Sequence, residues 1–370
     1  MVEGTNSAGE RDAFVQRNRS RNPFFSICIP QYNRTDFLIA ACKTFAEQSF
    51  RDFELCISDD CSDDGKAPAL IEYLQKSDLS FVYARTERNL RYDGNLRNAI
   101  GLSRGRYLLL MGNDDGLVDP DVLRLIRDEI VCREPIAVAI TNYREFGSGQ
   151  VFQRMVGTSV LGSGPALAAA TFRRYSFVSG VVLEGQAARE HATQAYDGSE
   201  MYQMYLGTRL VAAGGRLLSI DRVCVDKDLE IEGQVVDSYR RKPRFESFPI
   251  VVRPLPMGEL LRVVAGGLEP FHSGADRERN LVAVARQLYR FIYPFWGVEF
   301  RRVQSWGYSL GVLLSVRPDR LARGIALSGM SKLRLWALYV TGTAAALAVP
   351  IGLFDRLRPR LYALAKQLRN

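Results

Sequence analysis

Within the first 140 residues, short apolar runs that lack alternation take turns with stretches of helical period. Phe24 to Pro30 (FFSICIP), Phe53 to Ser58 (FELCIS), the weaker Phe81 to Ala84, and Tyr107 to Met111 are too short for buried helices. β-Branched and aromatic residues recur in them, so they are predicted as strands, the first and last buried on both faces. Between the strands, Leu38, Ala41, Cys42 and Phe45 share a helical face behind a cap near Thr35 or Asp36. A second helix is predicted from about Ala67 to Gln75. In a third, within Asn89 to Gly105, Leu96, Ala99, Ile100 and Ser103 fall on one side. A fourth runs from Pro120 to Cys132, with Asp119 as cap and Pro120 as first residue. Strand, loop and helix repeating in this way predict an α/β fold with a doubly wound, mostly parallel sheet.

The chain has 370 residues, 47% of them hydrophobic, enough for a large core and about two domains. Its six cysteines contain no C-x-x-C pair, which suggests reduced, mostly buried thiols and a cytosolic compartment. With only His191 and His272 available, a zinc site or a histidine triad is disfavoured, and any metal should be held by oxygen. There is no G-x-G-x-x-G after the first strand and no G-x-x-x-x-G-K-[ST] anywhere, which argues against a dinucleotide oxidoreductase and a P-loop phosphotransferase.

The chemistry is concentrated where strands end. Tyr107 to Met111 runs into Gly112-Asn113-Asp114-Asp115, and adjacent acids at a strand's carboxyl end can hold a hard divalent cation bridging phosphate oxygens. Asn-Asp-Asp-Gly is equally good turn chemistry. The second strand ends in Asp59, Asp60, Asp63 and Asp64, a cluster that needs partners or full solvation.

Taken in order, SICIPQYNR (Ser26 to Arg34), ISDDCSDDG (Ile57 to Gly65) and GNLRNAIGLSRGRYLLLMGNDD (Gly94 to Asp115) resemble family 2 of the glycosyltransferases, which have the GT-A fold. GSEMYQMYLGTRLVAAGG (Gly198 to Gly215) extends the resemblance more loosely. It implies a nucleotide-sugar donor and an Mg²⁺ or Mn²⁺ ion that stabilises the departing diphosphate. Asp114 would be the metal ligand, with Asp115 and Asn113 as helpers. The family's Asp-x-Asp has lost its first acid here to Gly112, which puts metal affinity in question. By the same resemblance Asp59 should accept a hydrogen bond from the nucleotide base. Pro30, Gln31, Tyr32 and Arg34 would line base and ribose, and Asp60 and Arg97 would complete the pocket, Arg97 against the diphosphate. The general base would be Glu200, 86 residues after Asp114 and ahead of a helix from Met201 to Ala213, with Asp197 as the alternative. The usual Glu-Asp-x-x-Leu is not matched, and spacing back from Arg209 puts Gln203 at the acid's position.

Three regions are expected: a mobile polar tail over 1–22 without the apolar core of a signal peptide, a catalytic domain over 23–236, and a helical region over 237–370. The last holds 22 Lys and Arg against 9 Asp and Glu, whereas the rest carries a net negative charge. Its aliphatic and aromatic content favours an anionic membrane surface over nucleic acid. Arg240-Arg241-Lys242-Pro243-Arg244 reads as a basic connector. Leu281 to Trp296 and Leu357 to Leu368 read as basic amphipathic helices that associate with membranes. Leu335 to Phe354 is a run of 20 uncharged residues, open to a single span, a shallow or re-entrant insertion, or a buried core helix. The expectation is a glycosyltransferase on the cytoplasmic face of the plasma membrane, peripheral or shallowly inserted. It would move a sugar onto a lipid-linked glycan in bacterial surface-polysaccharide synthesis, with inversion. A polyprenyl-phosphate sugar synthase and a nucleotide-sugar-binding protein without turnover are the alternatives.

Overall fold

The apolar runs become the strands of one eleven-stranded sheet. The computed structural model describes residues 14–17, 21–232, 256–269, 271, 274–303 and 306–357. The strands are β1 (Phe14–Arg17), β2 (Phe25–Gln31), β3 (Phe53–Asp59), β4 (Phe81–Arg85), β5 (Tyr107–Leu110), β6 (Gly116–Leu117), β7 (Val138–Glu145), β8 (Val151–Phe152), β9 (Ser159–Gly162), β10 (Val181–Glu184) and β11 (Leu217–Lys227). Up to residue 232 the α-helices are α1 (Thr35–Ala46), α2 (Ala67–Lys76), α3 (Arg91–Leu102), α4 (Val122–Val131), α5 (Pro165–Thr171), α6 (Gly185–Glu190) and α7 (Tyr202–Ala212).

Strands β4, β3, β2 and β5 are parallel neighbours, with Phe25 level with both Phe53 and Tyr107. Every residue of β3 and of β5 is buried, β5 as an unbroken apolar run and β3 with Glu54 among them, its carboxylate accepting from the Ser26 hydroxyl at 2.7 Å. Beyond β5 the sheet is mixed, which corrects the mostly parallel arrangement expected. β10 inserts antiparallel between β5 and β7, β11 then runs parallel to β7, and β6, β8 and β9 pair antiparallel at the far side. Residues 14–17 are also not tail: β1 pairs antiparallel with β4 as an edge strand. The rest of the expected tail, apart from 21–22, lies outside the described residues. Helix α1 starts at Thr35, but its cap comes from another loop: the Asp64 carboxylate accepts from Thr35 N–H at 3.1 Å and from its hydroxyl at 2.7 Å. Helix α4 starts two residues later than expected, because Asp119 instead accepts from Asp121 N–H at 2.8 Å. All six cysteines are free; Cys28, Cys42, Cys56 and Cys224 are buried, while Cys132 is exposed.

The C-terminal helices are α8 (Pro256–Leu268), α9 (Gly274–Gln287), α10 (Tyr293–Val303), α11 (Trp306–Ser315), α12 (Pro318–Leu321) and α13 (Gly329–Ala348), with a π-helical turn Leu288–Ile292 between α9 and α10. Their apolar faces pack on the helices and sheet that precede them rather than standing apart. One buried cluster runs from Leu110, Tyr202 and Leu210 through Leu261 and Val284 to Leu335 and Ala346. Gly267 permits this closeness, since a Cβ there would sit 2.9 Å from Thr208 Cβ on α7. Within Leu281 to Trp296, Leu281, Val284, Ala285, Leu288 and Tyr289 are therefore core, in a segment packed by α5, α8 and α13. No single helix among the described residues is long and apolar enough to cross a membrane. The run Leu335 to Phe354 is broken near Pro350 into α13 and a short helix Ile351–Leu357, bent by 101°. The connector Arg240 to Arg244 and residues 358–370 lie outside the described residues.

Candidate active site

The strand order reverses between β2 and β5, because β3 and β4 lie to one side of β2 and β5 to the other. At such a switch point the loops leave in opposite directions and a crevice opens beyond the carboxyl ends of the strands. Asn113 Nδ2 donates to Gln31 Oε1 at 2.8 Å and ties the two strand ends together. Two consecutive residues in left-handed backbone, Asn33 (φ 53°) and Arg34 (φ 56°), then turn the β2–α1 loop over the crevice. From there Arg34 Nη1 donates to Asp114 Oδ2 at 2.6 Å. Asn33 also holds the acidic loop after β3: its Nδ2 donates to Asp63 Oδ1 at 2.8 Å, and its Oδ1 accepts from the Asp63 and Asp64 amides.

Asp114 and Asp115 are both buried. Asp115 accepts from the Ser179 hydroxyl and, at 3.0 Å, from the Asp228 amide. Pairing of β6 with β11 brings the chain after Lys227 alongside, and Leu229 N–H donates to Asp114 C=O at 2.8 Å. Carboxylate oxygens of Asp114, Asp115 and Asp228 thereby come within 4.8 Å of one another. Burial, then the charge of Asp114, pushes the Asp115 pKa up to about 8. Burial also raises Asp114, against the lowering effect of the Arg34 guanidinium. Three hard oxygen donors, two of them desolvated and mutually repelling, suit a small divalent cation, whose charge would reverse that repulsion. Gly112, where the family's pattern has an acid, is in close contact with this group: a Cβ there would stand 2.8 Å from Asp115 Oδ2 and 3.2 Å from Asp114 Oδ1. The missing acid is thus a packing requirement of the two that remain.

The other residues singled out from the sequence fall into two groups. Asp59 is buried, with Oδ1 accepting from Ser62 N–H at 2.8 Å and Oδ2 from the Tyr83 hydroxyl. Asp60 accepts from Leu90 N–H at 2.6 Å ahead of α3, and its pKa is raised, foremost by burial. Pro30 is half-buried and Tyr32 is exposed at the lip. Arg97 and Asp197, nominated for different tasks, form a two-point ion pair with each other. Arg97 also lines a groove of about 540 Å³ with Ser58, Thr86, Asn98 and Arg189, and none of the three clustered carboxylates borders it.

Glu200 stands at the head of α7 with a left-handed backbone (φ 59°), a conformation a non-glycine residue holds only when its surroundings enforce it. The buried Asp93 on α3 does so, accepting from Glu200 N–H at 2.8 Å and Tyr202 N–H at 3.0 Å. Partial desolvation, then the Asp93 charge, raises the Glu200 pKa. Two residues along α3, Asn95 Nδ2 donates to Gln31 C=O at 2.9 Å, so the helix that fixes Glu200 also touches the end of β2. Gln203 is buried and accepts from the Tyr92 hydroxyl at 2.9 Å, a neutral packing role.

Asp93, Ser179 and Asp228 belong to the site without having stood out in the sequence. Only Asp228 left a signal: VCVDKD repeats the pattern of an apolar run ending in acids seen at YLLLMGNDD.

Residues 26–178 match the sequence model of Glycosyl transferase family 2. A curated relative is the GalNAc(5)-diNAcBac-PP-undecaprenol beta-1,3-glucosyltransferase of Campylobacter jejuni, 32% identical over 98 residues, which are 26% of this chain and 31% of that protein. Across the curated relatives the chain spans from 13% to 52% of their length. S. aureus TarS 1–349 in complex with UDP-GlcNAc has a similar structure, with TM-score 0.56 and 17% identity over 86% of this chain and 88% of that one. So does the mannosyltransferase PcManGT of Pyrobaculum calidifontis in complex with GDP-Man and Mn²⁺, with TM-score 0.51 and 15% identity over 94% and 87%. The α/β GT-A-like sheet, the order of its strand-end motifs and the match over residues 26–178 make this part of the chain similar to family 2 of the glycosyltransferases.

Proposed function

We propose that this protein transfers a sugar from a nucleotide-sugar donor to a hydroxyl of a lipid-linked glycan, in assembly of a surface polysaccharide. The observation that carries the reading is the convergence of Asp114, Asp115 and Asp228 at the switch point between β2 and β5. These three would hold Mg²⁺ or Mn²⁺, which when bound offsets the charge developing on the leaving diphosphate. Arg34, which now pairs with Asp114, would be the cation to meet the same phosphates if it were displaced from that carboxylate. The Pro30 to Arg34 loop, with Tyr32 exposed at its tip, offers a wall for base and ribose.

The Glu200 carboxylate accepts the proton of the attacking hydroxyl as the new oxygen–carbon bond forms and the bond from the sugar to the diphosphate breaks. Direct displacement of this kind inverts the anomeric centre. The raised pKa of Glu200 favours the task, since a base works best when its pKa approaches the working pH. Asp197 is the weaker candidate because its carboxylate is engaged by Arg97. Support for the donor comes from the UDP-GlcNAc and GDP-Man complexes of the structural neighbours, and for the acceptor from the undecaprenol-linked glycan in the relative's name.

A panel of nucleotide sugars tested by thermal shift with Mn²⁺ should single out one donor, and transfer from it to an undecaprenyl-diphosphate-linked glycan should follow. Stabilisation without transfer or hydrolysis of any donor would instead leave a nucleotide-sugar-binding protein. Transfer to undecaprenyl phosphate alone would point to a polyprenyl-phosphate sugar synthase.

A further inference from the structure

We infer that the outward face of α13 seats the protein on an anionic lipid surface, with the helix lying in the plane of that surface. The inference does not depend on the chemistry of the crevice. α13 has two unlike faces. Its inner face is packed: Leu335, Tyr339, Gly342 and Ala346 are buried, the Tyr339 hydroxyl donates to Leu313 C=O at 3.1 Å, and Arg301 of α10 donates to Ala346 C=O at 2.9 Å. Its outer face is exposed and equally apolar. Met330, Leu333, Ala337, Val340, Ala344 and Ala348 follow one another at steps of three and four, one stripe down the helix. Met330 is 59%, Leu333 64% and Val340 58% exposed, where a solvated helix would carry charge. The two charged residues of α13, Lys332 and Arg334, are both basic and both near its start.

That end is basic beyond the helix itself. Arg320 and Arg323 are exposed beside it, and Arg317, paired with Asp319, lays its guanidinium 5.8 Å from the centre of the Trp336 ring. Apolar stripe, flanking cations and a tryptophan at the boundary are the attributes of an interfacial helix. Charge favours this occupant over a second copy, since the cations at one end of the stripe are complementary to anionic headgroups and find no acidic counterpart on the same face of another copy. A span is incompatible with the packing, because lipid on all sides would require stripping the inner face from α9 and α10. The 101° bend after α13 likewise suits a chain that stays at the interface.

The test is sedimentation of the full chain with phosphatidylcholine vesicles, with or without phosphatidylglycerol. Binding is expected only with the anionic lipid, weakened by salt. Leu333→Asp with Val340→Asp should abolish it with thermal unfolding unchanged, since both side chains are exposed. Arg320→Ala with Arg323→Ala should reduce it several-fold. Absence of binding by the wild type, or undiminished binding by the Leu333→Asp, Val340→Asp protein, overturns the inference. A concentration-dependent dimer that the same pair of substitutions dissolves, without vesicle binding, assigns the face to a second copy and overturns it as well.

Discussion

Arg34 Nη1 and Asp114 Oδ2 lie 2.6 Å apart across the crevice between β2 and β5, so the residue best placed to hold a cation already faces one. A divalent ion that takes Asp114 competes with Arg34 for the same carboxylate, and an Arg34 displaced from it becomes available to a phosphate. Arg34→Gln should therefore bind Mn²⁺ more tightly in the absence of nucleotide, by about three- to tenfold for a partly buried pair. The same variant should bind the nucleotide diphosphate more weakly. Titration of Mn²⁺ by electron paramagnetic resonance reads the first effect directly, and unchanged or weaker Mn²⁺ binding would contradict it.

Asp228 offers a check on the metal group itself. Asp114→Asn removes a ligand charge at a loop position and should abolish transfer with the fold intact. Asp228→Asn should weaken Mn²⁺ binding by roughly tenfold or more while leaving nucleotide binding in metal-free buffer as it was. Full transfer by the Asp114→Asn protein in chelator-treated buffer would rule out a metal role for that residue.

Gly112 makes the counter-intuitive prediction that restoring the family's acid is harmful. The Cβ of Gly112→Asp would enter the space of the Asp115 carboxylate at 2.8 Å and add a fourth carboxyl to a crowded acidic group. Overpacking of this kind costs about 1–3 kcal/mol. A lower midpoint in denaturant and weaker Mn²⁺ binding are expected together, and a variant as stable as the wild type with tighter Mn²⁺ binding would refute the packing account.

The parallel half of the fold was legible because its strands are unbroken apolar runs, and Asp114 and Asp115 because such a run ends on them. Asp228 follows a similar run, but its place beside them was not legible, since the antiparallel β6–β11 pairing is what carries it across 113 residues to Asp115. Nothing in VVLE (Val181–Glu184) encodes strand direction, so the antiparallel insertion of β10 was hidden as well. The C-terminal helices misled for a related reason: an apolar face does not say whether lipid or protein covers it. Val284 and Leu335 are covered by protein, whereas Leu333 and Val340 are not. For Arg97 and Asp197, each residue type was read in isolation, and their mutual ion pair is a tertiary fact.

Glu200 and Asp197 can be separated by rate and by pH. Glu200→Gln keeps the shape of the side chain and removes proton acceptance, so kcat should fall by about 10² to 10⁴ with donor binding little changed. Asp197→Asn should act through Arg97, with a smaller loss. If Asp197→Asn shows the large loss and Glu200→Gln does not, the base lies three residues earlier. The pH profile tests the mechanism further. Burial and Asp93 both raise the Glu200 pKa, so the acidic limb of kcat should be shifted upward from that of an ordinary glutamate. Asp93→Asn removes a negative neighbour and keeps one acceptor for the Glu200 and Tyr202 amides. The base then ionises more readily, and the limb should move to lower pH. Since a weaker base accepts a proton less well, the plateau rate should drop at the same time. A limb that stays in place in Asp93→Asn, in a protein whose thermal unfolding is unaltered, would mean that Glu200 is not the group that titrates.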